Sequence, residues 1–202
     1  MDEEERAAYA EALGEKLESW NIRATLGFAG LYLMTHEAIK EAVIDGVRNF
    51  YLNGFDENGM TYDEDLYAAD VLARDPKKRK MRASLLWLVH SGAITLEQAD
   101  RLDDIYAHRH ELTHELTKYI MDPAFNPDMN LFTDAMQILK DVLRYWTEVE
   151  FAIGTFEDHP DAGVDDVTPG RLVPLQLAIF AYVEGLDHEV ERQKAQESPD
   201  PS

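Results

Sequence analysis

The decapeptide AHRHELTHEL, residues 107–116, contains side chains that can move protons, hold a metal or stabilise negative charge. His110, Glu111 and His114 form the HExxH pattern of zinc hydrolases, in which two histidines bind the metal and the glutamate is the general base. The same stretch contains Arg109 followed, after four residues, by His114. An arginine and a histidine can stabilise a phosphate and move a proton without a metal. A third interpretation is a solvated helix face rich in histidine and glutamate.

The zinc interpretation requires a third protein ligand in addition to His110 and His114. Glu148 or Glu150, on the next predicted helix, could supply this ligand, and nothing in the sequence singles out either one. Zinc-hydrolase helices of this kind prefer an uncharged residue after the second histidine, where this chain has Glu115. No strand pattern precedes the motif to align a substrate. These features weigh against a catalytic zinc, and we expect no cofactor.

The helix that carries the motif is predicted to span residues 95–121. Thr95 and Gln98 have the spacing of an N-cap and its capping-box partner. Apolar residues at spacings of three and four form a stripe along this helix: Leu102, Ile105, Leu112, Leu116 and Ile120. Arg109 lies in the gap of the stripe, where its charge must be paired or solvated because an unpaired buried charge is costly. Arg109 is therefore either a structural arginine paired inside the bundle or a functional one that faces a cleft or a subunit interface.

Apolar residues recur at helical spacing over nearly the whole chain, and no convincing alternating strand pattern is found. The predicted helices cover residues 5–18, 22–52, 62–74, 79–91, 95–121, 129–156 and 170–192. The stretch LNGFDENGM, which contains two glycines, separates the second from the third. We expect an all-α bundle of four to five main helices with short extra helices, in one domain over residues 1–192. Residues 193–202 are expected to form a disordered acidic tail.

The net charge of −21 disfavours nucleic acid binding unless positive groups are concentrated. They are concentrated in RDPKKRKMR, residues 74–82, which holds six of the 19 basic residues and is termed the basic island. A solvated helix start or loop is the alternative interpretation. The candidate RNA-contacting residues of the island are Lys77, Lys78, Arg79, Lys80 and Arg82.

The cellular location of the protein is predicted from the lack of a membrane-spanning segment and of a secretory signal in the sequence. It has no run of about 18 apolar residues, and its first residues are acidic rather than basic. We expect no membrane span and a cytoplasmic protein. With no cysteine, disulfides and thiolate metal sites are excluded.

The segment LLWLVHSGAITLEQADRLDDIYAHRHELTHEL, residues 85–116, resembles the HEPN superfamily of small α-helical domains. It reads as an apolar helix, a glycine-containing turn and a second helix. Arg109, His110 and His114 match the family pattern of Arg, then Asn, Asp or His, then three residues, then His. Leu116 departs from family members paired with a nucleotidyltransferase, which have tyrosine there, and this departure argues against control by tyrosine modification.

The resemblance implies a bundle of four or five helices, usually a homodimer in which the Arg–His elements of both subunits meet in one cleft. It also implies metal-independent RNA cleavage through attack of a 2′-OH on the adjacent phosphate. His114 would be the acid–base group, Arg109 would stabilise the developing charge on the phosphoryl oxygens, and His110 would orient them or contact phosphate.

Three functional hypotheses follow. The first is an endoribonuclease of the toxin or phage-defence kind, held in check by a partner protein such as an antitoxin. The second is a non-catalytic acidic helical module of the same fold that binds a basic protein partner. The third is a zinc-dependent hydrolase that uses His110, Glu111 and His114.

Overall fold

The computed structural model describes residues 2–197, and this part of the chain is mostly helical, as predicted. The helices are α1 (Glu3–Lys16), α2 (Ser19–Lys40), α3 (Gly46–Asn49), α4 (Glu64–Asp70), α5 (Lys80–His90), α6 (Leu96–His114), α7 (Leu116–Met121), α8 (Met129–Ala152) and α9 (Val173–Glu197). Short 3-10 turns lie at Leu72–Arg74, Val164–Asp166 and Gly170–Leu172. The last helix continues past its predicted end near residue 192, as far as Glu197. The remainder of the predicted tail, residues 198–202, lies outside the described residues.

A β-hairpin lies where the sequence predicts only a turn. Strand β1 (Leu52–Asp56) pairs antiparallel with β2 (Gly59–Tyr62). Gly59 has a φ of +118°, which glycine adopts without the steric cost that a side chain would bring. Both strands are largely exposed. The expectation of no strand was therefore wrong at this place, because exposed strands leave no alternation of apolar residues in the sequence.

Helix α2 is the element against which much of the bundle packs. It contacts α6, α8 and α9, while α5 packs against α6 and against the π-helical segment Glu41–Asp45 that joins α2 to α3. The fully buried side chains include Tyr32, Ile39, Leu88, Ile105 and Leu139. Each such side chain contributes about 1.5–3 kcal/mol through the apolar area removed from water. This core fixes α2 beside α6. Among residues 2–197, no helix combines the length and the hydropathy that a membrane span requires.

The start of α6 is as predicted. The Oγ1 atom of Thr95 accepts the backbone N–H of Gln98, and the side-chain oxygen of Gln98 accepts the backbone N–H of Thr95. The two bonds satisfy donors that a helix N-terminus otherwise leaves without partners.

The end of α6 differs from the prediction, because one helix over residues 95–121 is in fact two. Glu115 leaves the helical conformation, with φ −120° and ψ 27°, and α7 begins immediately after it. The ring of buried Tyr119 lies 5.8 Å from the ring of His108. Eleven residues of uninterrupted helix would separate these positions by about 16 Å along the axis. The break folds α7 back, and the burial of Tyr119 is the physical reason for it.

Candidate functional site

The C-terminal half of α6 presents the motif residues from a firmly packed helix. Ile105 and Leu112 are at most 1% exposed and hold one face of α6 against the core. His110 and His114 lie on the exposed side. A helix anchored in this way positions functional side chains more accurately than a loop does.

The imidazole rings of His110 and His114 form an adjacent pair. Their centroids are 4.3 Å apart and their planes are inclined by 52°. The spacing of four residues predicts this proximity, because residues i and i+4 are neighbours on a helix surface. Since both side chains are exposed, a phosphate group in solution has direct access to them.

The guanidinium group of Arg109 lies on the side of α6 that faces α2. Its Nη2 atom donates a hydrogen bond of 3.3 Å to Oε1 of Glu37, and its Nε atom is buried without a hydrogen-bond partner. The sequence predicts that this arginine needs a partner, and it gives no indication that the partner is Glu37. The side chains are 24% and 45% exposed, respectively, so the pair is partly open to solvent. Such a pair contributes little to stability, and a phosphate could replace the carboxylate.

Glu37 also interacts with two neighbours on its own helix. Lys40 donates a hydrogen bond of 3.0 Å from Nζ to Oε2, which lowers the pKa of Glu37. The Nδ1 atom of His36 lies 3.4 Å from Oε1 and makes no hydrogen bond. Burial, reinforced by the nearby Arg109 cation, lowers the pKa of His36. Glu37 therefore remains ionised beside Arg109 at neutral pH, and His36 remains uncharged.

The predicted catalytic residues divide into two groups. His110 contacts His114, and Arg109 is paired with Glu37, but within the part of the chain described no hydrogen bond joins Arg109 to His114. Five residues of helix place these two side chains about 140° apart around the axis. One copy of the chain thus presents the arginine and the acid–base histidine on different sides of α6.

The histidine pair has no third ligand for a metal. Among residues 2–197, no group of three or more histidine, aspartate or glutamate side chains is placed to hold a metal ion. Glu111, the general base of the zinc hypothesis, accepts a hydrogen bond of 2.7 Å from Nζ of Lys118, which lowers its pKa. Glu148 is bonded to Arg144 on its own helix, and Glu150 is exposed on α8. The side chains around His110 and His114 therefore give no support to a zinc site.

Three lysines of the basic island are available for an external anion. Lys77, Lys78 and Lys80 are exposed, and none of them forms an ion pair in the described residues. They lie at the loop that precedes α5 and at its first residue. Their charges are free to contact phosphate.

The two arginines of the basic island are already paired. Arg79 donates from Nε and Nη2 to the two carboxylate oxygens of Asp75, at 2.9 and 3.2 Å. These bonds lower the pKa of Asp75 to about 2. Arg82 donates to Asp100 at 2.7 Å. Of the five predicted RNA-contacting residues, the lysines are therefore better placed than the arginines.

His108, next to the motif, has a structural position that the sequence does not reveal. Its Nε2 atom accepts the backbone N–H of Asp128, the N-cap residue of α8, at 3.0 Å. Its ring packs edge-on against Tyr32, with centroids 5.2 Å apart. Burial lowers the pKa of His108, against smaller opposing effects of Asp128 and Glu111. Only the neutral ring can accept this hydrogen bond, so protonation breaks the link between α6 and α8.

We expect the free energy of unfolding to fall when the pH is lowered from 7.5 to 5.5, and His108→Gln to reduce this dependence. The pKa of His108 in the folded state lies below the ordinary value of 6.5, so the unfolded chain takes up the proton first. The contribution of neutral His108 to the free energy of unfolding is complete above pH 6.5, and it is lost as the pH falls below this value. Urea denaturation at several pH values measures the effect. His188→Gln, on the exposed side of α9, is the matched control, and equal pH profiles for the two variants would refute the assignment.

Comparison of the chain with models of protein families, with curated proteins and with solved structures gives no match. The functional assignment therefore rests on the residues around α6.

Proposed function

We propose that the chain is a metal-independent endoribonuclease of the toxin or phage-defence type, with a HEPN-like site on α6. The observation that carries the proposal is the exposed pair of imidazoles, His110 and His114, on the helix that also holds the partly open Arg109 guanidinium. These are the groups that cleavage of a phosphodiester without a metal requires: a proton acceptor, a proton donor and a fixed cation.

The proposed reaction is an attack of the RNA 2′-oxygen on the adjacent phosphorus. Neutral His114 takes the proton of the 2′-OH as the new P–O bond forms, and Arg109 stabilises the charge that develops on the non-bridging oxygens. The bond to the 5′-oxygen then breaks, and this oxygen leaves with a proton from the cationic form of His110. The products are a 2′,3′-cyclic phosphate and a 5′-hydroxyl.

A homodimer explains how Arg109 and His114 can act together although they lie on different sides of α6 in one copy of the chain. Arg109 and His114 lie about 140° apart around α6, so the Arg109 of one copy must meet the His114 of the other to complete a site. The exposed Lys77, Lys78 and Lys80 extend the positive charge available to an RNA strand in an otherwise acidic protein.

The test is cleavage of single-stranded RNA by the purified protein in excess EDTA. We expect cleavage to persist in EDTA, the products to end in 2′,3′-cyclic phosphates, and Glu111→Gln to retain the wild-type rate. Loss of activity in EDTA together with loss in Glu111→Gln would instead support the zinc hydrolase. The absence of any cleavage by the wild-type protein across varied RNA substrates would reject the nuclease.

An acidic module that binds a basic protein partner is the second candidate function. It is favoured by a groove between α6 and α8 whose wall contains Glu97, Asp100, Asp104 and Asp134, with Arg101 as the cation among them. Under this proposal the chain binds a basic protein in a salt-dependent manner, and Asp104→Asn weakens the complex while Arg109→Ala does not. The same groove is a suitable surface for a basic inhibitor of the nuclease.

A further inference from the structure

A cavity of about 360 Å³ opens between α2, with its π-helical extension, and helices α5 and α6. Part of its wall is apolar and includes Ile39, Leu85 and Leu102, which also belong to the core of the protein. The volume is within the range of small-molecule sites, about 300–1,000 Å³. The cavity therefore has a firm apolar base and enough space for an organic ligand.

The polar part of the wall is predominantly positive, in contrast to the charge of the whole chain. Lys40, Arg79 and Arg82 line the cavity, and Asp103 is the acidic residue that faces them. The carboxylates that pair with the three cations, on Glu37, Asp75 and Asp100, do not line it. An arginine carries five N–H donors and a lysine three, so each cation retains donors beyond those used in its ion pair. Each of the three cations is ion-paired, so the wall offers a ligand their remaining N–H donors rather than unneutralised charges.

A buried histidine and a tyrosine complete the wall of the cavity. His36 lines the cavity and is only 7% exposed, and its Nδ1 atom lies 3.4 Å from Oε1 of Glu37, which does not line the cavity. Its ring lies 5.6 Å from that of Tyr106, which also lines the cavity. The two rings add aromatic surface beside the aliphatic side chains of the wall, which suits a ligand with an aromatic body.

We propose that this cavity binds a small organic anion in which a carboxylate, sulfonate or phosphate group is attached to an apolar or aromatic body. The anionic group is held by Lys40 and the two arginines, and the body packs on Ile39, Leu85 and Leu102. The site is separate from the histidine pair of α6, and its occupancy does not depend on RNA cleavage.

The test is a fluorescence titration of the full chain with 8-anilinonaphthalene-1-sulfonate, an aromatic anion of suitable size. We expect saturable binding at one site per chain. Lys40→Gln should weaken binding by roughly three- to tenfold, and Asp103→Asn should tighten it by a similar factor, because each changes one charge at the ligand. N-phenyl-1-naphthylamine, which has the same rings without the sulfonate, should bind more weakly.

Two variants provide matched controls with the same charge changes outside the cavity wall. Lys77→Gln removes a lysine of the basic island, and Asp104→Asn removes the carboxylate next to Asp103 along α6. Both should leave the dissociation constant within about twofold of the wild-type value. The proposal is overturned if binding does not saturate, if the controls change affinity as much as Lys40→Gln and Asp103→Asn, or if the uncharged probe binds as tightly as the sulfonate.

Discussion

The variants Arg109→Ala and His114→Ala should each cleave RNA about 10²–10⁴-fold more slowly than the wild-type protein. Removing one group that stabilises an oxyanion costs about 10²–10³ in rate, and removing a general acid–base group costs about 10²–10⁴. Single-turnover cleavage of a labelled RNA in EDTA measures the effect on the chemical step. His90→Ala is the matched control, because His90 is the exposed last residue of α5 just as His114 is the exposed last residue of α6. Equal rates for the three variants would contradict the proposed site.

Glu37→Gln distinguishes a phosphate-binding role of Arg109 from a structural one. In the free protein the Glu37 carboxylate is paired with the Arg109 guanidinium group, which would bind the phosphate of the RNA. Removing this competing charge should lower the KM for RNA, by roughly two- to fivefold, and leave kcat similar. If Arg109 serves only to link α6 to α2, Arg109→Ala and Glu37→Gln should both lower thermal stability without changing cleavage.

Mixing the two inactive variants tests whether the site is shared between copies. In a mixed dimer of Arg109→Ala and His114→Ala, one site receives the intact arginine of one copy and the intact histidine of the other. Random exchange makes half of the dimers mixed, each with one intact site, so about a quarter of the wild-type activity should return. A mixture that remains inactive after subunit exchange would place all catalytic groups within one copy.

The helices could be predicted from the sequence where their signals are local. The capping pair Thr95 and Gln98 marks the start of α6, and apolar spacing marks its buried face. The end of α6 could not be predicted, because it depends on the packing of Tyr119 against His108 after the chain has folded back. The hairpin at residues 52–62 was missed for a different reason: its strands bury too little apolar surface to leave a pattern.

In the candidate site, too, contacts within one helix could be predicted from the sequence, and contacts between helices could not. The proximity of His110 and His114 follows from a spacing of four residues on one helix, and it could be predicted. The carboxylate that holds Arg109 lies 72 residues earlier, on α2, and no local pattern connects the two. The sequence indicates that a partially buried arginine needs a partner, because burial of an unpaired charge is costly, but only the packing of the bundle selects Glu37.

The π-helical segment Glu41–Asp45 is held in place by an indole ring from α8. The Nε1 atom of Trp146 donates a hydrogen bond of 2.8 Å to the backbone oxygen of Ala42. The ring stacks on Trp87 with an angle of 11° between planes. Gly46 follows the segment directly, and a Cβ atom on it would lie 2.6 Å from Nε1 and 2.7 Å from Cε2 of Trp146. Any side chain at residue 46 must therefore displace a ring that is fixed on two sides.

Gly46→Ala should reduce the free energy of unfolding by about 1–3 kcal/mol. Overpacking costs about 1–3 kcal/mol and the strained hydrogen bond about 1 kcal/mol, against a gain of about 1 kcal/mol from the higher helix propensity of alanine. Gly30→Ala is the matched control, because Gly30 lies within α2 and its added Cβ meets no atom within 4 Å outside the neighbouring residues and backbone of its own helix. This variant should be more stable than the wild type by about 0.5–1 kcal/mol. Urea denaturation followed by tryptophan fluorescence measures both, and since the two substitutions are chemically identical, effects of the same sign would show that Trp146 does not restrict residue 46.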